Sequence, residues 1–124
     1  MGQGEIPICD LFEEALGIPV RVTNDANAAA LGEMTYGVAR GMKNFIMITL
    51  GTGVGSGIVV DGRVVYGSDG FAGELGHVVI DHSEAGRQCG CGRKGCLETY
   101  CSATGVARTA REFLSKSDAP SPLR

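Results

Sequence analysis

The sequence predicts an α/β domain. Three observations favour this fold class: apolar residues at helical spacing near both ends of the chain, short β-branched runs between them, and glycines concentrated in the segments that connect these runs. The chain has 124 residues, of which 44% are hydrophobic and 20% are charged. This length and composition are typical of about one globular domain.

The first third of the chain predicts a helix, a strand and a second helix. Apolar residues recur at helical spacing over residues 8–16, and Gly17 followed by Ile18-Pro19 ends this helix. β-Branched side chains in residues 20–23 predict a short strand. An alanine-rich segment follows Asn24-Asp25, where either residue can cap a helix that ends near Gly37.

The rest of the chain predicts a β-meander followed by a helix. We expect strands over residues 44–50, 58–60 and 63–66, a further strand over 78–81, and a helix over 104–116. Asp61-Gly62 is the strongest short hairpin signal in the sequence, so the strands on either side of it are expected to pair. The tail over 117–124, rich in Ser and Pro, is expected to be poorly ordered or a cut end.

Charge and hydropathy exclude several classes of function. The formal net charge is −3 and the basic residues are scattered, so we expect no nucleic-acid partner for this segment. No apolar run reaches the roughly 18 residues that a membrane span needs, and the N-terminus lacks the basic and apolar pattern of a signal peptide. We therefore expect a cytoplasmic protein with no membrane partner.

Three of the five cysteines predict a metal site. Cys89, Cys91 and Cys96 lie close together in a glycine-rich segment, which is not the spacing of a disulfide framework. Zn²⁺ prefers four tetrahedral thiolate and imidazole ligands, and His77 or His82 can supply the fourth. Four protein ligands leave no open position for a catalytic water, so the zinc is expected to be structural. The alternative is a glycine-rich loop with incidental thiols, which would be prone to oxidation.

The segment over residues 51–57 reads Gly-Thr-Gly-Val-Gly-Ser-Gly and is expected to lie between two strands. Successive glycines let backbone N–H groups approach an anion such as phosphate. The segment is not a P-loop, because the Lys-Ser/Thr ending is missing, and its glycine spacing differs from G-x-G-x-x-G. A tight bulged turn between paired strands explains the glycines equally well.

Several polar side chains stand among apolar and glycine-rich neighbours and would suit a polyhydroxyl ligand such as a sugar: Asn24, Asp25, Glu74, His77 and Glu98. Asp25 is either a helix cap or a general base that acts on a hydroxyl beside a phosphate-binding loop. Glu74 is open to a second interpretation as a solvated loop charge, and Glu98 as a cap of the segment that follows it.

Together these motifs resemble the ROK family of bacterial sugar kinases and their repressor relatives. Residues 50–62 resemble the family's glycine-rich signature, Glu74-Leu75-Gly76-His77 its E-x-G-H motif, and residues 89–98 its zinc loop. Three such motifs in the same order are highly specific, and the likeness covers about residues 18–110. The resemblance implies an actin-like, ribonuclease H-like ATPase fold of the hexokinase type, present in part.

The resemblance also implies a role for each motif residue. Asp25 would be the general base that takes the proton from the sugar hydroxyl, and Gly51, Thr52 and Gly53 would lie against the ATP phosphates. The sugar would be bound by Asn24, Glu74, His77 and Glu98. The zinc ligands would be His77, Cys89, Cys91 and Cys96, which leaves His82 outside the site. Mg²⁺ bound with ATP would neutralise the transferring phosphoryl group.

The family's organisation implies that residues 1–24 are a remnant of the N-terminal small domain. Residues 25–124 would then be part of the large domain, with the phosphate loop, the sugar-binding motifs and the zinc loop. The family's N-terminal D-x-G-G-T loop and its adenosine-binding segment have no counterpart here. We therefore expect a central fragment with little or no kinase activity of its own, and a homodimer in the full-length protein.

The function that the resemblance implies is ATP-dependent phosphorylation of a hexose, with glucose as the first choice of substrate. One alternative is a sugar-sensing transcriptional repressor of the same family. Such repressors often lose the catalytic aspartate, so the presence of Asp25 favours the kinase. A second alternative is a zinc-stabilised binding module without chemistry.

Overall fold

The structure is a computed structural model that describes residues 6–123, so residues 1–5 of the predicted small-domain remnant and Arg124 of the predicted large domain lie outside it. Its helices are α1 (Ile8–Leu16), α2 (Asp25–Tyr36), α3 (Glu98–Cys101) and α4 (Ala103–Leu114), and a 3-10 turn spans Leu75–His77. Its strands are β1 (Phe45–Leu50), β2 (Val54–Val60) and β3 (Arg63–Val64). The predicted α/β class is confirmed.

The three strands form the predicted antiparallel meander in the order β1-β2-β3. The hairpin between β2 and β3 is closed by Asp61 and Gly62, whose φ angles are 49° and 74°. Positive φ at both positions is the requirement of the tight type I′ hairpin turn, which Asp-Gly meets at low cost. β2 begins at Val54 and not at residue 58, and β3 ends at Val64 and not at residue 66.

The early start of β2 gives two of the predicted loop glycines a packing role. A β-carbon at Gly57 would lie 2.6 Å from the Cβ atom of Ala30, and one at Gly55 would lie 3.0 Å from that of Ala26. Both alanines are buried in α2. Glycine in the strand and alanine in the helix therefore bring α2 close to the sheet, and only residues 51–53 form the turn between β1 and β2.

The predicted strand over residues 20–23 is wrong. This segment has no ladder partner among the described residues. The backbone N–H of Val20 donates instead to the Glu13 carboxylate at 2.9 Å, so a side chain of α1 takes the place of a neighbouring strand. α1 itself has the predicted bounds and contains no buried residue.

The predicted strand over residues 78–81 is also wrong. Val79 makes a single β-bridge to Cys96, and the N–H of Leu97 donates to the carbonyl of Val78 at 2.9 Å. One bridge holds the two segments together without forming a ladder, because the partner segment turns at Gly95, whose φ angle is 74°, and enters α3 at Glu98. The 3-10 turn and α3 were not predicted, since elements of three and four residues are too short to show a hydrophobic periodicity in the sequence.

α4 begins one residue before its predicted start and ends two residues before its predicted end. Its N-cap is Ser102, whose side chain accepts from the N–H of Gly105. In β1, Ile46, Ile48 and Leu50 are half-exposed or more, since they lie on the face of the sheet opposite to the one on which α2 contacts Gly55 and Gly57. Among the described residues, no helix has the length and apolar character to cross a membrane.

Candidate functional site

The predicted polar residues and the glycine-rich turn line one cleft of about 500 Å³. Its walls are residues 49–55 together with Asn24, Asp25, Glu74 and Glu98. The start of α2, the β1–β2 turn, the 3-10 turn and the start of α3 therefore converge on one space. His77 is not among the lining residues, and its Nε2 atom is 3.9 Å from a carboxylate oxygen of Glu74, which is one of them.

The start of α2 separates the two candidates for the helix cap. The Asn24 side chain accepts from the N–H groups of Ala26 and Asn27, at 2.9 and 3.2 Å, and so is the N-cap. Asp25 is the first helical residue, is exposed, and lines the cleft. Capping therefore does not explain Asp25, although one of its carboxylate oxygens accepts from the adjacent N–H of Ala26.

The segment that carries Glu74 and His77 lies directly on β2. A β-carbon at Gly76 would collide with the carbonyl oxygen of Val54, and one at Gly73 would collide with that of Ser56. The buried Ser56 hydroxyl donates to the Gly73 carbonyl and accepts from the N–H of Leu75 at 3.4 Å. Glu74 is thus held at the cleft by contacts to the sheet that do not involve the cysteines.

Four side chains that the resemblance implies as zinc ligands form a cluster: His77, Cys89, Cys91 and Cys96. One ligand atom from each lies within 4.8 Å of all the others. The Cys91 and Cys96 sulfurs are 3.7 Å apart, and the Cys89 sulfur is 3.5 Å from Nδ1 of His77. Bond lengths of about 2.3 Å for Zn–S and about 2.0 Å for Zn–N place tetrahedral ligand atoms about 3.5 to 3.8 Å apart. His82 is not in this cluster.

The thiols of the cluster differ in their proton affinity. The backbone N–H of Arg93, and then its side chain, lower the pKa of the exposed Cys91 thiol to about 6. Burial, and after it the neighbouring thiols, raise the pKa of the Cys96 thiol to about 11. A cation that binds both sulfurs would oppose the effect of burial, because a coordinated thiol loses its proton.

Glu98 is the first residue of α3, two residues after Cys96, and lies between the cysteine loop and the glycine-rich turn. One of its carboxylate oxygens accepts from the N–H of Val54 at 3.0 Å. The other lies 3.8 Å from the sulfur of Cys89. The second interpretation of Glu98, as a cap of the following helix, is not what the structure shows, because its side chain binds an amide 44 residues away in sequence.

Arg87 was missed in the sequence and is the most heavily bonded side chain near the site. Its guanidinium is buried, stacks on the Tyr100 ring with 4.6 Å to the centroid, and forms an ion pair with Glu112 at 2.7 Å. It also donates to the carbonyls of Thr99 and Gly105 and to the hydroxyl of Thr109. Arg87, two residues before Cys89, therefore links the start of the cysteine loop to α3 and α4. The spacing of Thr109 and Glu112 on one face of α4 was the available signal.

Tyr100 extends this network to the segment before the cysteine loop. Its hydroxyl accepts from the backbone N–H of Arg87 at 3.1 Å and donates to the Asp81 carboxylate at 2.6 Å. The hydrogen bond from Tyr100, followed by those from Ser83, lowers the pKa of Asp81 to about 2. Asp81 is therefore an ionised anchor at neutral pH.

Comparison with known proteins identifies what this arrangement is similar to. The model of the ROK family matches residues 1–121. A glucokinase of Halalkalibacterium halodurans is 53% identical over 116 residues, which is 94% of this chain and 35% of the relative. The chain spans about a third of the length of the curated relatives it matches.

Two solved structures show the same fold. A ROK family glucokinase from Streptomyces griseus, in complex with glucose and AMPPNP, has a TM-score of 0.75 and 41% identity, and the match covers 90% of this chain and 35% of that one. A ROK family transcriptional regulator homologous to the MLC protein of E. coli has a TM-score of 0.80 and 39% identity, with 94% of this chain and 28% of that one covered.

Proposed function

Because this chain belongs to the ROK family, we propose that it supplies the sugar-binding residues and part of the phosphate-binding residues of an ATP-dependent hexose kinase. Membership also confirms the predicted actin-like, hexokinase-type fold in partial form. The observation that carries the proposal is the cleft itself. It places Asp25 in the same space as the glycine-rich turn, with two further carboxylates in its walls.

In this proposal Asp25 takes the proton from the attacking sugar hydroxyl. Its place at the first residue of α2 fixes its backbone, since Asn24 caps the helix behind it. Asn24, Glu74, His77 and Glu98 would bind the sugar, with His77 acting through its Nε2 atom beside Glu74.

The turn formed by Gly51, Thr52 and Gly53 would lie against the ATP phosphates. No β-carbon at Gly51 would meet a neighbour within 4 Å, so the backbone there faces open space that a phosphate could enter. Mg²⁺ that arrives with ATP would neutralise charge on the transferred group. The contribution of the chain is then to position the two substrates and to accept one proton.

We propose that His77, Cys89, Cys91 and Cys96 hold one structural Zn²⁺. The 3.7 Å between the Cys91 and Cys96 sulfurs and the 3.5 Å between the Cys89 sulfur and Nδ1 of His77 fit a tetrahedral site, and all four ligand atoms lie within 4.8 Å of one another. The metal would fix the imidazole so that its other nitrogen faces the cleft. It would also hold the chain on either side of Glu98 and the 3-10 turn.

The metal proposal is tested by elemental analysis of protein purified without chelator. We expect one zinc per chain, and Cys96→Ser should lower the zinc content severalfold. Cys101→Ser is the matched control, because Cys101 is a partly buried thiol outside the cluster and should leave the zinc content unchanged. Equal zinc in both variants would rule out this site.

The catalytic proposal is tested with Asp25→Asn in the complete kinase. Phosphorylation of glucose should fall about 10²- to 10⁴-fold, while glucose binding measured by calorimetry stays within a few-fold of the parent. Asp69→Asn is the control, because Asp69 is exposed and does not line the cleft. A turnover number for Asp25→Asn near that of the parent would contradict the proposal.

A sugar-sensing repressor is the second candidate, since the ROK transcriptional regulator is similar over 94% of this chain. The presence of Asp25 favours the kinase, because a sensor has no use for a general base. An assay of the unsubstituted parent protein with glucose and ATP distinguishes the two candidates. A repressor would bind glucose without consuming ATP.

We propose the predicted division at residue 24, with residues 25–124 in the large domain. It is supported by the exposure of α1, which contains no buried residue, and by the close contact of α2 with the sheet.

A further inference from the structure

The carboxylate of Glu98 has two neighbours of different kinds. On one side it lines the cleft in which the sugar is proposed to bind. On the other side it accepts from the N–H of Val54, which is the first residue of β2 and directly follows the glycine-rich turn. Val54 is 6% exposed although it borders the cleft, so this amide has little access to water, and the Glu98 carboxylate is its acceptor.

The segment that begins with Glu98 also holds the rest of the turn. The N–H of Ala103 donates to the carbonyl of Gly51 at 2.9 Å, and the hydroxyl of Thr104 donates to the carbonyl of Thr52 at 3.4 Å. Together with the bond between Val54 and Glu98, residues 98–104 therefore contact two residues of the turn, Gly51 and Thr52, and the first residue after it. Only the contact at Val54 comes from a side chain that also faces the cleft.

The close approach at Gly53 strengthens this connection. A β-carbon at Gly53 would lie 2.5 Å from a carboxylate oxygen of Glu98. The φ angle of Gly53 is not positive, so its conformation does not require glycine. Space for the carboxylate is therefore a physical reason for glycine at this position.

Glu74 provides an internal comparison. Its carboxylate lines the same cleft, and its recorded partner is His77 at 3.9 Å. Among residues 6–123, its side chain has no hydrogen bond to the glycine-rich turn. The two glutamates thus share the sugar side of the cleft and differ in their link to the phosphate side.

We propose that Glu98 is a positioning residue for the phosphate-binding turn in addition to its place in the sugar site, so that it couples nucleotide binding to hexose binding. This inference rests on the proposed kinase function. The carboxylate holds the N–H of Val54 and thereby fixes the path of Gly53 into β2. A hexose that binds Glu98 would in turn fix the carboxylate and the turn attached to it.

The test uses steady-state kinetics of the complete kinase, with ATP and glucose varied separately. Glu98→Ala should raise the KM for both substrates, by about tenfold for ATP, because it leaves the buried N–H of Val54 without its acceptor. Glu74→Ala, the matched control, should raise the KM for glucose and leave that for ATP within twofold. Glu98→Gln keeps an oxygen acceptor and should restore most of the ATP affinity without restoring that for glucose.

A second variant keeps the proposal testable if Glu98→Ala fails to fold. Gly53→Ala should raise the KM for ATP by displacing the carboxylate, and its effect should largely disappear when it is combined with Glu98→Ala, whose side chain is too short to reach residue 53. Fully additive effects would overturn the proposal, as would an unchanged KM for ATP in Glu98→Ala. A parent protein that binds glucose and does not phosphorylate it would instead refute the proposed kinase function.

Discussion

The buried guanidinium of Arg87 offers a direct test of what holds the cysteine loop in place. We consider Arg87→Met, which keeps most of the length of the side chain and removes its charge and its donors. In the native structure Arg87 donates to two carbonyls, a hydroxyl and the Glu112 carboxylate, and stacks on Tyr100. All of these partners lie in α3 or α4, so the substitution separates the loop from the helix pair.

The magnitude follows from how well each partner can find water. The carbonyl of Gly105 is at a buried position but keeps the Thr109 hydroxyl as a donor, so losing the bond from Arg87 costs about 1 kcal/mol, the net contribution of one hydrogen bond. Losing the bond to the carbonyl of Thr99 costs a similar amount, at the low end of about 1 to 3 kcal/mol. The stacking on Tyr100 contributes about 0.5 to 1 kcal/mol. Glu112 is 44% exposed and is resolvated, so its ion pair adds little. We expect Arg87→Met to lower the free energy of unfolding by about 2 to 3 kcal/mol.

The assay is urea unfolding followed by circular dichroism, with zinc present throughout. Arg108→Met is the control, because Arg108 pairs with the same Glu112 but its side chain is 55% exposed. Its loss should cost less than about 1 kcal/mol. If the two variants lose the same stability, the bonds to the helix carbonyls contribute nothing, and the reasoning is refuted.

Two further predictions concern the same region. Tyr100→Phe removes the hydrogen bond that is the largest cause of the low pKa of Asp81, which is about 2 against an ordinary 3.8. Because the pKa is lowered in the folded protein, the ionised Asp81 stabilises the fold above about pH 4, and this stabilisation is lost as the pH falls toward 2. The variant should therefore show a higher Asp81 pKa in an NMR titration and a smaller loss of stability over this interval, and an unchanged pKa would count against the assignment. Gly95→Ala should lower the free energy of unfolding in urea by more than about 2 kcal/mol, because Gly95 has a φ angle of 74° and a β-carbon there would collide with the Asp81 carbonyl. Gly90→Ala is the control and should leave the stability nearly unchanged, since a β-carbon at residue 90 would meet no atom within 4 Å.

Local signals in the sequence predicted most of the elements. Asn24 caps α2 through its own first turn, and Asp61-Gly62 meets the φ requirement of the hairpin without help from distant residues. The segments over 20–23 and 78–81 have strand-like composition, but a strand also needs a partner. Whether a partner strand is present depends on the tertiary fold. Val20 binds the Glu13 side chain instead, and Val79 makes only a single bridge to Cys96.

The glycines of residues 51–57 show why residue type alone leaves the site ambiguous. Gly51 faces open space, Gly53 makes room for Glu98, and Gly57 makes room for Ala30 of α2. The sequence offered a phosphate cradle and a tight turn as alternatives, and the structure supports both a turn and a packing surface. The contact of Glu98 with Val54 joins residues 44 apart, and no local pattern encodes it.

Three sets of contacts hold the carboxylates of the cleft, and they differ in whether they include a cysteine. Asp25 is positioned by the cap of α2, and Glu74 by the close contact of Gly73 and Gly76 with β2. Neither of these two sets includes a cysteine. Glu98, by contrast, follows Cys96 by two residues and lies 3.8 Å from the Cys89 sulfur. Loss of a metal bound at the cluster should therefore act first on Glu98 and, through Val54, on the glycine-rich turn, while Asp25 keeps its place.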